Sequence, residues 1–115
     1  MVTKKRLKIP IFNYTVLVTI FDRWSDLEGI LDDDIYHEGS SAGITVTWAN
    51  NYSLVCIRSN AYSTIVHEAG HLVNRIWKYI GYQPQRDNDE PSQYLLTYIF
   101  ERIEEIWQKH KNNTN

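Results

Sequence analysis

Five residues in the middle of the chain, His67-Glu68-Ala69-Gly70-His71, have the types and the spacing to do chemistry. They read as H-E-x-x-H within a stretch of helical periodicity. Positions four apart on a helix lie one turn above each other, so His67 and His71 project to the same side. Two neutral imidazoles so placed can grip one zinc ion. Glu68 falls on the flank of that face, beside the metal rather than on it. A general base must stand there to take a proton from a zinc-bound water.

Two histidines do not hold a catalytic zinc alone. Such sites carry three protein ligands and one open position. The metzincin pattern H-E-x-x-H-x-x-G-x-x-H is absent: Asn74 replaces its Gly, Trp77 replaces its His, and the only Met is Met1. The remaining source is a carboxylate at the start of the following helix, in Asp87-Asn88-Asp89-Glu90-Pro91. Glu90 is the choice, for its reach and for its place one turn before Tyr94, on the face expected to meet the motif helix. Asp87 and Glu90 also form a D-x-x-E capping box, which stabilises a helix start without metal. Asp87 or Asp89 is a candidate to fix a ligand histidine's tautomer from behind.

The elements that must position these residues can be read from pattern. Lys8 to Phe12 reads as extended, with Pro10 at an edge or bend. Thr15 to Phe21 is β-branched and aromatic, a buried strand. Trp24, Leu27, Ile30 and Leu31 have the spacing of a short helix, followed by a polar loop at Asp32-Asp33-Asp34. Gly43–Trp48 and Ser53–Ile57 read as a hairpin around Ala49–Tyr52. The motif helix has Asn60 or Ser63 as its cap, an apolar stripe of Ile65, Ala69, Leu72, Val73, Ile76, Trp77 and Ile80, and Gly81 as its stop. A closing helix from about Pro91 to His110 buries Leu95, Tyr98, Ile99, Ile103, Ile106 and Trp107. The expected architecture is α+β: a twisted sheet of three or four strands packed on the motif helix, with the closing helix behind it.

At 115 residues the chain reads as one domain, 1–115, with 1–8 and 110–115 frayed. A hydrophobic fraction of 43% supplies a core, and a formal charge of -2 gives no reason to expect a nucleic-acid partner. Lys4, Lys5, Arg6 and Lys8 read as a solvated arm. No apolar run reaches membrane-span length. The single Cys56 cannot form an internal disulfide and suits a reducing cytoplasm, as a small buried hydrophobe.

With Asp89-Glu90-Pro91-Ser92-Gln93-Tyr94-Leu95 following the H-E-A-G-H helix, the chain resembles a minimal gluzincin, and among large families the ImmA/IrrE-type metallopeptidases. These carry H-E-x-x-H and a ligand Glu in an E-A-N-like helix start, from which Pro91 and Gln93 depart. The block from Val66 to Tyr98 is also similar to short H-E-x-x-H proteins of tailed phages and prophages, which would place the chain in a bacterial cytoplasm. The resemblance implies a zincin-like fold, one zinc on His67, His71 and Glu90, and Glu68 as base.

The expected chemistry is peptide hydrolysis. Zinc lowers the pKa of its water from ~16 to about 7, Glu68 takes the proton, and hydroxide attacks the scissile carbonyl. The strand Ser53, Leu54, Val55, Cys56 and Ile57, if at the sheet edge, would bind a polypeptide substrate by strand addition. Tyr62, Arg75, Tyr94 and His37 have the chemistry of an oxyanion donor. Two other classes fit the same residues: a phage-type assembly or protein-binding module that retains a zinc site, and a zinc hydrolase of a non-peptide bond.

Overall fold

The computed structural model describes residues 1–29 and 42–113. Within them four strands, β1 (Val2–Ile9), β2 (Tyr14–Phe21), β3 (Gly43–Ala49) and β4 (Tyr52–Arg58), form one sheet in the order β1-β2-β4-β3. β1 runs antiparallel to β2 and β3 antiparallel to β4, while β2 and β4 are parallel. Two helices, α1 (Thr64–Ile80) and α2 (Glu90–Asn113), complete the α+β architecture. No helix among the described residues is long and apolar enough to cross a membrane.

Period-two alternation sorts the sheet's side chains. Val16, Val18, Ile20, Val55 and Ile57 point to the helices and join Ile65, Leu72 and Ile76 of α1 and Ile99 and Ile103 of α2 in one core. Phe21, Leu54 and Cys56 lie in a second cluster, with Ile44 and Val46 packed against it. Trp24 and Leu27, on the 3₁₀ turn Trp24–Leu27, cover this second cluster. The short helix expected around Trp24 is therefore a 3₁₀ turn over its first half. Ile30, Leu31, the Asp32–Asp34 loop and His37 lie outside the described residues. Burial pushes the Cys56 thiol up to about 12, so it behaves as a small hydrophobe.

α1 lies over β3 and β4, and α2 lies over β1 and β2. The helices are neighbours on one face of the sheet. This corrects the expectation that α2 stands behind α1. The reason is burial: Leu95, Ile99, Ile103 and Ile106 give α2 an apolar stripe of its own for the sheet to cover. α1 ends as expected at Gly81, whose φ of 78° is left-handed, with the Tyr82 N–H closing on the Trp77 carbonyl at 2.9 Å. Ser63 occupies the N-cap position, but its side chain makes no capping bond.

The termini depart from the sequence reading. Residues 2–9 are not a frayed arm: their lysines decorate an outer strand, where charge discourages pairing with other chains. His110, expected in a frayed tail, is fully buried. Its Nε2 lies 2.8 Å from Asp22 Oδ1, and its Nδ1 lies 2.7 Å from Thr3 Oγ1. Ser59 Oγ donates to the same Asp22 oxygen at 2.7 Å. The hydrogen bonds from His110 and Ser59 hold the Asp22 carboxyl at about 2, below its usual 3.8. This network pins the far end of α2 to β1 and to Asp22, just beyond β2.

Candidate functional site

α1 offers its motif to two neighbours. Toward α2, His67, Gly70, His71 and Asn74 line an open cleft of about 330 Å³, closed on the far side by Ser92, Gln93 and Leu96. Toward β3, Glu68 is buried under the strand. The strand runs alongside the helix in the same direction: Gly43 lies beside Thr64, Thr45 beside Glu68, and Thr47 beside Arg75. Gly43 is required for this approach. A Cβ there would sit 2.8 Å from Thr64 Cγ2, 2.9 Å from the Cys56 carbonyl oxygen and 3.3 Å from Glu68 Cγ.

The two histidines converge. Their Nε2 atoms are 3.2 Å apart, and their rings stand edge to face at 87°. Two nitrogens bound at ~2.0–2.1 Å to one tetrahedral zinc would be roughly 3.3 Å apart, so the spacing fits a shared metal. It equally fits an N–H···N bond between neutral rings, in which one Nε2 donates and the other accepts. The His67 side chain is 69% exposed, accessible to an incoming ion.

Glu68 contrasts with its neighbours at 5% side-chain exposure. Its Oε1 accepts the Thr45 hydroxyl proton at 2.6 Å. Its Oε2 lies 4.0 Å from His67 Nε2. One oxygen is therefore anchored to the sheet and the other is turned toward the histidine pair. The second oxygen is placed to exchange a proton with a group held near the histidines.

The carboxylates are placed differently from the reading of the sequence. Among the described residues no group of three His, Cys, Asp or Glu side chains is gathered to hold a metal ion, so Glu90 is not brought to the histidines. Glu90 is exposed at the first position of α2. It shares its helix face with Tyr94, and Tyr94 lies on a separate apolar groove beside Ile9–Phe12. The α2 residues that face the histidines are Ser92, Gln93 and Leu96. Asp87 and Asp89 are exposed and bond to neither histidine ring. The Asp87–Glu90 capping box does not form as expected: the Glu90 N–H meets Asn88 Oδ1 at 3.4 Å instead.

The substrate strand is also corrected. Ser53–Ile57 belongs to β4, which is paired on both sides and cannot accept an added strand. The edge beside the motif is β3, paired only with β4 among the described residues. The uninterrupted apolar run Leu54–Ile57 was the available signal, since a strand buried on both faces reads that way.

Of the oxyanion candidates, Tyr62 donates its hydroxyl to Glu104 and packs on Trp107. Arg75 Nη1 donates to Thr47 Oγ1 at 2.7 Å, and Nη2 to the Thr45 carbonyl at 3.4 Å. Tyr94 faces away, as described. Thr45, Gln93 and Ser92 are the site residues that sequence reasoning missed. Their contacts with the motif are long-range and leave no trace in local pattern. No family model, curated protein or solved structure matches the chain.

Proposed function

We propose that this chain is a small zinc-dependent hydrolase of zincin-like fold, a metallopeptidase of the gluzincin type. The observation that carries the reading is the convergence of the His67 and His71 Nε2 atoms at 3.2 Å, with the free oxygen of Glu68 4.0 Å away. His67 and His71 would hold the ion. Glu90, one turn before Gln93 on α2, is proposed as the third ligand. A zinc ion held there supplies Lewis acidity and an activated water.

The chain's own residues then have distinct tasks. Thr45 fixes Glu68 Oε1, leaving Oε2 to accept the proton from the attacking water and return it to the leaving amine. The open edge of β3 offers main-chain groups to an extended polypeptide, in place of Ser53–Ile57. The exposed histidine side of the site leaves a position for the carbonyl under attack.

A second reading, a protein-binding or assembly module retaining the histidine pair, is favoured by one observation: Glu90 stands apart from the histidines. Glu68→Gln separates the two. The amide keeps the shape and the Thr45 contact but cannot take a proton. Zinc-loaded wild type should cleave members of a diverse peptide library, and the variant should bind zinc equally but lose at least about a hundredfold in rate. Equal cleavage by both proteins would exclude Glu68 as the base, and no cleavage by either would favour the module.

A further inference from the structure

Beyond the motif, the later turns of α1 and the end of β3 frame a cavity of about 470 Å³ lined by Tyr14, Thr47, Asn50, Arg75, Lys78 and Tyr79. Its charge is one-sided. Two cations line it and no carboxylate does, in a chain whose formal charge is -2. We propose that this cavity binds a carboxylate of the peptide substrate, from an acidic side chain or a free C-terminus, about two to three residues from the bond addressed by Glu68. The substrate assignment rests on the peptidase reading; the anion-binding pocket itself does not.

The cavity is held in place by structure. Arg75 is fixed to β3 through Thr47 and the Thr45 carbonyl, and its guanidinium retains further N–H groups for a ligand. Lys78, one turn on and exposed, has no hydrogen bond or ion pair among the described residues. The floor is Tyr14, whose hydroxyl is bonded to Ser53 and whose ring meets Tyr79 edge-on at 5.9 Å. A planar fork beside a flexible ammonium suits a carboxylate better than either cation alone.

The spacing supplies the position. Glu68 and Arg75 both face β3 and are seven residues apart, or ~10.5 Å along α1. An extended peptide covers that in about three residues at ~3.3 Å each. Their partners on the strand, Thr45 and Thr47, lie two residues or ~6.6 Å apart, so the interval is about two to three peptide residues. A peptide antiparallel to β3 would bring an acidic side chain to the cavity from the N-terminal side of the scissile bond. A peptide parallel to β3 could instead place its free C-terminal carboxylate there.

The test uses zinc-loaded full chain and fluorescent peptides of three kinds: an internal Glu with an amidated C-terminus, a neutral sequence with a free C-terminus, and a neutral amidated control. Binding is measured by anisotropy and cleavage by mass spectrometry. Wild type should bind one of the first two peptides at least about tenfold more tightly than the control, and the preferred peptide identifies the carboxylate's source. Lys78→Glu should remove that preference and leave binding of the control unchanged, and Arg75→Gln should remove the preference as well. Acid-selective binding without cleavage would sustain the pocket and sink the peptidase reading. Cleavage with no acid preference, or a preference that survives both substitutions, would overturn the pocket and leave the peptidase reading standing.

Discussion

Replacing Asp22 by Asn tests whether the buried network at the far end of α2 does what its geometry says. Asp22 accepts from Ser59 and from His110, and these bonds lower its carboxyl from 3.8 to about 2. A group depressed on folding stabilises the native state above its unfolded value, and that stability is lost as pH falls through the folded value. At ~1.4 kcal/mol per unit, the upper limit is about 2.5 kcal/mol. The side chain is 34% exposed, so solvent screening brings the expectation to about 1–2 kcal/mol. Urea unfolding of wild type and Asp22→Asn at pH 6 should differ by this amount. The difference should shrink as pH is lowered from about 4 toward 2, because the wild-type carboxylate is then protonated as well. A difference that is unchanged, or larger, at low pH would refute the assignment of Asp22 as a charged acceptor.

Other substitutions probe the site. Gly43→Ala should destabilise the fold by about 1–3 kcal/mol in urea unfolding, because the new Cβ meets the immobile Cys56 carbonyl as well as Thr64; a neutral or stabilising result would contradict the close approach of β3 to α1. Glu90→Ala should weaken zinc affinity in a chelator competition far more than Asp87→Ala does, since Asp87 is exposed and bonds to neither histidine. Gln93→Glu places a carboxylate on the α2 face that lines the histidine cleft, and should tighten zinc binding. If Gln93→Glu tightens binding and Glu90→Ala changes nothing, the third ligand is not Glu90.

What could be read from the sequence was local. The H-E-x-x-H spacing, the apolar stripe of α1 from Ile65 to Trp77, the stop at Gly81 and the β3–β4 hairpin each depend on residues within a few positions of one another and form as expected, while Ile80, read as the end of the stripe, is exposed. What could not be read was long-range. The parallel pairing of β2 with β4 makes Ser53–Ile57 interior and β3 the edge, and no turn signal encodes that pairing. Lys4, Lys5, Arg6 and Lys8 read as an arm because an outer strand carries the charge that an arm also carries. His110 read as tail because its partners, Asp22 and Thr3, lie 88 and 107 positions away. Glu90 was chosen on the assumption that Tyr94 faces α1. Tyr94 shares a groove with Trp77 near the far end of α1, and it is Ser92, Gln93 and Leu96 that face the histidines.

The claim on which the functional account rests is that His67 and His71 share one zinc ion. It is tested most directly by titrating zinc into metal-free wild type, His67→Ala and His71→Ala against a competing chelator, with elemental analysis of the isolated complexes. The account predicts one zinc per wild-type chain, with affinity lowered by at least about a hundredfold in either variant, a larger loss than removing an outer-sphere partner causes. A wild type that takes up no zinc, or variants that bind it as tightly as wild type, would contradict it.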